Sequence, residues 1–598
     1  MNTTTYSETW DLDVFFPGGS RSSEFQNYLK QLSDSLAAFK KEVEEWKPIS
    51  KIEDVKELAE LLRSLQENSQ RLRQAGAFVG CLQAQDVNDS NANELRGKVS
   101  VLSAEFSSTL SNFDEKLTQI KEALWSEILE KEPFNKLKFV LNERRQLAKE
   151  KLSKDQEALI NALSVDGYHG WGEMYDALVS HVKIPFSDDG EVKELSVGQA
   201  ANKFSHPDRK VRQEVFNSWE DSWGQQADLL AATLNHLAGF RLSVYKQRKW
   251  DTDILKEALN YNRMEKETLD TMWQVISDLK EPFKAFLDRK AKLLGVEKLS
   301  WYDLDAPVGN ADHQFTYQEG AAFIIRHFGE FGDRLANFTK KAFEDCWIEA
   351  EDRPGKRPGG FCTSFPVNQQ SRIFMTYSGT PSNVSTLAHE LGHAFHSYAL
   401  RDVHALNRSY AMNVAETAST FAEMIVADAS LKTAEGKEAR TNLLEDKIQR
   451  SVALLMNIHA RFLFETRFYE ERKNGMVSKE RLSKLMLDAQ KEAYGDSLEE
   501  YHPLFWASKL HFFITGTPFY NFPYTFGYLF SLGIYSKAIK EGKGFEEQYM
   551  ALLRDTGSMK VEELALKHLN VDLTQRKFWE DGIKRCIADV EEFLELTK

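Results

Sequence analysis

Apolar residues recur every three to four positions through most of the chain, the spacing that lays one buried stripe along a helix. Residues 24–47, 53–85 and 93–129 read as long amphipathic helices, and the polar run DVNDSNAN at 86–93 is the turn between two of them. The pattern breaks at VKIPFSDDGEVKELSV, residues 182–197, where Asp189-Gly190 between short β-prone runs predicts a hairpin. Helical spacing returns over 205–247 and 263–295. A second break, residues 353–382, carries Pro354, Pro358 and the pair Gly359-Gly360, and within it Arg372–Tyr377 reads as a strand. That strand is either part of a small structural sheet or an edge beside a cleft, to which an extended peptide could add. Only 14 prolines interrupt 598 residues, so the expected fold is mainly α with a small β element. The first break is taken as a boundary between a helical N-terminal domain, residues 1–195, and a second domain, residues 196–598.

The helix after the second break stands out. Val384, Leu387, Leu391, Phe395 and Tyr398 form its apolar stripe, and Ser382 or Asn383, just after Pro381, is the expected cap. Nearly opposite the stripe lie His389 and His393, with Glu390 beside them, in the pattern H-E-x-x-H. Two histidines four apart sit one turn above the other, so both imidazoles can reach one metal ion, and the glutamate is placed to act as a general base towards water. With 14 histidines and 91 acidic residues in 598 positions, chance gives the pattern in at most about one such chain in twenty, which favours the metal reading over a solvated polar face. Gly392 costs about 1 kcal/mol relative to alanine mid-helix, which points to close approach of a backbone or ligand.

A catalytic zinc site takes three protein ligands and keeps one position open. A third histidine in metzincin register is excluded, because Ala399 holds that position and His396 holds the preceding glycine position. His396 itself reads as a neighbour. The stretch YAMNVAETASTFAEMIVADAS, residues 410–430, reads as a second helix, and Ala415, Ala418 and Ala422 allow it to approach a partner closely. Glu416 and Glu423 are seven apart and share a face, so spacing leaves either as the third ligand.

VSTLAHELGHAFHS followed by NVAETASTFAEMIV resembles the thimet oligopeptidase superfamily, and more closely its bacterial oligoendopeptidase F branch. WDLDVFFPG near the start resembles the opening motif of that branch, where a helical N-terminal domain follows. The resemblance implies a large helical zinc endopeptidase that hydrolyses internal bonds of short unstructured peptides inside a deep substrate channel. It assigns one Zn²⁺ per chain to His389, His393 and Glu416, since Glu416 to Ser419 match the family's E-x-x-S motif. Glu390 is then the base, and Ser419 or Glu423 orients the ligands. Two alternatives are an exopeptidase of the same fold and a catalytically silent peptide-binding protein. The intact Glu390 argues against the silent reading.

HFFITGTPFYNFPYTFGYLFSLGIY, residues 511–535, is the most aromatic stretch, and the helix after Pro523 is apolar nearly all round. Phe512, Phe513, Phe526 and Phe530 read as core. In the family, a histidine and tyrosines from this region stabilise the oxyanion. His511, Tyr520 and Tyr528 match that role best, with Tyr524 a further candidate.

Composition narrows the partners. The net charge of −15 argues against a nucleic-acid groove. No run of about 18 apolar residues predicts a membrane span. The four cysteines lie far apart without a C-x-x-C, which suits a reducing compartment, and no signal-peptide pattern opens the sequence. A cytoplasmic location and short peptides as the partners are therefore expected.

Overall fold

The computed structural model describes residues 5–188, 191–309 and 314–598. Helices make up 71% of the chain, about twice the share in ordinary globular proteins, as the helical spacing implies. The chain forms two compact units, each assembled from three stretches. The first takes Met1–Lys151, His313–Ala429 and Ile534–Asn570; the second takes Leu152–Asp312, Ser430–Gly533 and Val571–Lys598. The units first part after Lys151, and residue 195 lies within the second unit.

In the first unit, helix Ser23–Glu45 buries Phe25, Leu29, Leu32, Leu36, Phe39 and Val43, alternating steps of three and four. This stripe joins Leu58 and Phe78 of helix Val55–Gln85 and Phe113 of helix Ser90–Thr118 in one core. The helix expected over 93–129 is two helices, Ser90–Thr118 and Glu122–Leu129. Buried Arg145 holds the break open: its guanidinium donates to Leu117 O at 3.0 Å and Ile120 O at 2.6 Å. It thereby satisfies carbonyls that a helix end leaves without partners.

Five strands complete the secondary structure among the described residues. Strands β1 (Ile184–Asp188) and β2 (Glu191–Leu195) pair antiparallel, as the hairpin reading requires; its Asp189-Gly190 tip lies outside the described residues. Strands β3 (Ile348–Glu349), β4 (Phe361–Phe365) and β5 (Gln370–Phe374) form a sheet in the order β3-β5-β4. The strand read at Arg372–Tyr377 is β5, two residues earlier than expected, and it is central. Ile373 N and Met375 N donate to Trp347 O and Glu349 O on one side, while β4 pairs antiparallel on the other. The edge beside the motif helix is therefore β4. Phe365 and Phe374 point from this sheet into the N-terminal core, where Phe365 stacks on Phe15 at 3.9 Å.

The second unit is built on helix Arg209–Gln247, capped by Asp208, whose carboxylate accepts from Lys210 N at 2.9 Å. The helical pattern over 263–295 resolves into Lys266–Asp278 and Glu281–Leu293, with Pro282 in the first turn of the latter. Phe512, Phe513, Phe526 and Phe530 are all buried, as expected for core residues. No helix among the described residues is long and apolar enough to cross a membrane.

Candidate metal and catalytic site

The motif helix runs Pro381–Ala399. Its cap is Thr380, two residues before Ser382 and three before Asn383, and Pro381 takes the first helical place, where its missing N–H costs nothing. Asn383 completes the cap: its Oδ1 accepts from Thr380 N at 3.2 Å and from Ser378 N at 2.9 Å. Val384, Leu387, Leu391 and Phe395 are buried, so the apolar stripe fixes the helix's rotation and with it the direction of the histidines. Tyr549 packs on Phe395 and on Phe421 of the second helix, tying the two together from behind.

The second helix is interrupted. It forms Met412–Ala415 and then Thr417–Thr433, with Glu416 between them at φ −86° and ψ 3°. The interruption brings the Glu416 carboxylate to both histidines. Its Oε2 lies 3.2 Å from His389 Nε2 and 3.4 Å from His393 Nε2, and the two imidazole nitrogens are 3.1 Å apart. An ion with bonds of about 2.0–2.1 Å and tetrahedral angles sets its ligand atoms roughly 3.4 Å apart, so the triangle fits such an ion. Among the described residues, this is the cluster whose donor atoms converge in that way.

Glu423 grips the other side of the same ring, its Oε1 2.9 Å from His389 Nδ1. A carboxylate there requires Nδ1 to carry a proton, which aims the Nε2 lone pair at the triangle. Ser419 Oγ donates to Glu416 Oε2 at 2.8 Å and fixes that carboxylate in turn. Burial opposes charge on His389, but its hydrogen bonds to Glu416 and Glu423 prevail and raise its pKa to about 10. Burial would likewise raise Glu416, yet the bonds from His389 and His393 outweigh it and hold the carboxyl well below its usual range. The group is thus built to keep a positive charge at its centre, and a metal ion can take the place of the proton the residues share.

Glu390 is 6% exposed, and its Oε2 is buried without a hydrogen-bond partner. Burial raises its pKa, while His389 and His393 pull it down. An unpaired buried carboxylate oxygen costs stability, and this one lies on the residue next to His389.

Gly392 explains how the two helices come so close. A Cβ there would lie 2.5 Å from Ala418 O and 2.6 Å from Ser419 Cα, so the backbone approach expected from sequence is that of the second helix. Helix propensity alone would make Gly392→Ala stabilising by about 1 kcal/mol. The contact reverses the sign: the variant should lose about 1–3 kcal/mol and bind metal more weakly, read by thermal unfolding and metal content. Unchanged values of both would show that the helices separate freely.

His396 is a neighbour of the site and not part of the triangle. It is fully buried, bonded through Nε2 to Thr556 Oγ1 at 2.9 Å and stacked on Tyr410, and burial lowers its pKa to about 3.

The aromatic candidates belong to the second unit. His511, Tyr520 and Tyr524 form one cluster: His511 lies 4.8 Å from Tyr520 by ring centroid, and the Tyr524 hydroxyl donates to that of Tyr520 at 3.3 Å. Asn521 anchors it. Arg461, which can only donate, reaches Asn521 Oδ1 at 3.1 Å, so that atom is an acceptor, and His511 Nδ1 at 2.7 Å must donate to it. The shorter contact at Nδ1, to Asn521, thus favours the Nδ1–H tautomer over acceptance from Arg461 Nη1 at 3.4 Å. Burial lowers its pKa to about 4, so near neutral pH Nε2 accepts hydrogen bonds and the tyrosine hydroxyls are the donors. Asn521 went unnoticed in the sequence; its signal was a lone amide inside the run FYNFPY. Tyr528 stands apart from this cluster, contrary to expectation. It is 6% exposed, and its hydroxyl is bonded to Ser451 Oγ at 2.8 Å and lies 3.5 Å from Cys586 Sγ, so it is a core residue.

Comparison with known proteins identifies the family and the fold. A family model described as "Oligopeptidase F" matches residues 116–183. Oligopeptidase PepF of Bacillus subtilis is 25% identical over 606 residues, covering 98% of this chain and 87% of that protein. An oligoendopeptidase F homolog of Borreliella burgdorferi is 23% identical, covering 98% of each. The crystal structure of oligoendopeptidase-F from Enterococcus faecium superposes with a TM-score of 0.70 at 20% identity, covering 96% of this chain and 98% of that one, and shares the large helical fold. A second family model, described as "Peptidase family M3", matches residues 204–585 and so takes in the motif helix, the interrupted helix and the His511 cluster; with well over half its length matched, the chain belongs to peptidase family M3 and is a peptidase.

Proposed function

We propose that the chain is a zinc-dependent endopeptidase that hydrolyses internal bonds of short unstructured peptides and acts in the cytoplasm. The observation that carries the metal reading is the triangle of His389 Nε2, His393 Nε2 and Glu416 Oε2 with edges of 3.1–3.4 Å. These three residues would hold Zn²⁺, which, when bound, supplies a Lewis acid that acidifies water and polarises a carbonyl. Two nitrogens and one carboxylate oxygen suit zinc better than calcium or magnesium, which prefer all-oxygen sites.

The chain's own residues supply the rest. Glu390 takes a proton from the attacking water at its unpartnered oxygen and later delivers it to the leaving amine. Glu423 and Ser419 hold the His389 ring and the Glu416 carboxylate in place. The resemblance gives oxyanion stabilisation to the aromatic cluster, and its chemistry suits Tyr520 as the donor, since Tyr524 gives its own proton to the Tyr520 hydroxyl. His511, fixed by Asn521, then accepts a hydrogen bond from a hydroxyl or a substrate N–H. Relatives named oligopeptidase and oligoendopeptidase support the substrate class.

The test is hydrolysis of a quenched peptide of about ten residues with the products mapped by mass spectrometry. Cleavage at internal bonds is expected, with loss of activity and of bound metal on chelation, recovery with zinc, and no digestion of a stable folded domain. Release only of terminal residues would make the chain an exopeptidase. Wild-type rates after complete metal removal would refute the metal reading.

A further inference from the structure

The first unit contains a cavity of about 410 Å³ behind the end of the motif helix. That volume is within the usual range for a ligand pocket. Three arginines line it, Arg73, Arg401 and Arg408, together with serines and glutamines, and its wall carries no aspartate or glutamate. In a chain with 91 acidic residues against 76 basic ones, this is a local reversal of charge. The arginines come from separate elements: Arg73 from helix Val55–Gln85, Arg401 from just past the motif helix, and Arg408 from the turn Ala405–Arg408.

Their hydrogen-bond acceptors are neutral. Arg73 Nε donates to Ser364 Oγ at 2.9 Å, and Arg408 donates to Val403 O at 2.7 Å and Arg401 O at 2.9 Å. Arg401 lies over the Tyr398 ring and makes a 3.5 Å ion pair with Asp402, which is itself 70% exposed. Burial lowers the pKa of Arg408; Asp402 works against that, and the like charge of Arg73 adds to it. Cations held together around a cavity without a carboxylate favour an incoming anion.

The cavity and the metal triangle lie along the same helix and strand. Ser397, one turn beyond His393, lines it, as does Tyr410, which stacks on His396 at 4.2 Å. Strand β4 connects the two places. At its start, a Cβ on Gly360 would lie 3.5 Å from Glu390 Oε1; near its end, Ser364 accepts from Arg73. Four residues of strand span about 13 Å.

We propose that this cavity is a specificity subsite that binds the carboxylate of an acidic residue in the peptide substrate, three or four residues from the bond that is cut. The inference rests on the endopeptidase reading of the metal site. The chain's negative charge disfavours acidic peptides in general, so a preference at one position has to come from a local site.

The experiment walks a single glutamate through the positions flanking the cleaved bond of a quenched peptide, with a glutamine counterpart at each position. The intact chain should show a Glu-to-Gln ratio in kcat/KM near or below one at most positions, and of roughly tenfold at one position three or four residues from the bond. In Arg73→Gln and Arg408→Gln that ratio should fall to near one. Reading the ratio within each variant removes any general loss of activity, and the wild-type series decides even if one variant fails to fold. Hydrolysis with no favoured position, or a preference unchanged in both variants, overturns the subsite and leaves the endopeptidase reading standing. Equal inhibition of Glu and Gln peptides by inorganic phosphate, without a Glu preference, would assign the cavity to a free small anion and overturn the proposal. If no peptide of the series is cut, the endopeptidase reading fails and the subsite with it.

Discussion

Glu390→Gln is expected to lower kcat by roughly 10²–10⁴-fold while bound metal stays at the wild-type level. The substitution keeps the shape of the side chain and removes only its ability to take a proton. In the proposed reading this role is distinct from ligation: Glu390 Oε2 is buried without a partner, whereas the donor atoms that could hold a metal converge from His389, His393 and Glu416. If the base acts on the chemical step, KM should change little, because the lost interaction develops in the transition state. Hydrolysis by the variant at near wild-type rate would overturn the mechanism. Loss of metal together with activity would instead make Glu390 part of the metal's environment.

The two glutamates of the second helix should part company on substitution. Glu416→Ala removes one corner of the triangle and should abolish tight metal binding, read as metal per chain after gel filtration. Glu423→Ala removes the acceptor at His389 Nδ1 and leaves all three ligand atoms. Its expected cost is a roughly 10–100-fold weaker metal affinity, with the site still filled at saturating metal. The opposite pattern, with metal kept by Glu416→Ala and lost by Glu423→Ala, would exchange the two assignments.

Much of this arrangement was legible in the sequence because helical spacing and the metal motif are both local. The stripe from Val384 to Tyr398 determined which way His389 and His393 face, and mid-helix Gly392 announced a close neighbour. The cap was misplaced because Ser382 and Asn383 are good capping residues; Pro381 at the first helical position was the better guide. The interruption at Glu416 had no local sign, since NVAETAS contains neither glycine nor proline. Without it, an uninterrupted helix leaves Glu416 and Glu423 equivalent, and spacing alone could not choose.

Other features depended on distant partners. Strand β5 looked like an edge because its second neighbour, β3, is two residues long and invisible as a pattern. Tyr528 lies on a helix apolar all round, where periodicity gives no direction; its hydroxyl is matched by Ser451, 77 positions away. The preference of His511 for a proton at Nδ1 traces to Asn521, whose oxygen also accepts from Arg461, 60 positions before it. The arginine cavity gathers residues 73, 401 and 408, and no window of sequence contains all three.

The threefold segmentation of the first unit bears on how the chain comes off the ribosome. All three residues of the metal triangle have been translated by position 416, but the stretch Ile534–Asn570 that completes their unit has not. That late stretch supplies Tyr549, which packs on Phe395 and Phe421, and Thr556, which bonds His396. Until it emerges, Phe395 has Phe338 against it but lacks Tyr549, and contacts spanning more than a hundred residues form slowly. A nascent chain that has passed position 416 therefore carries the H-E-x-x-H sequence before its unit is whole, and the unit is completed only when Ile534–Asn570 has emerged.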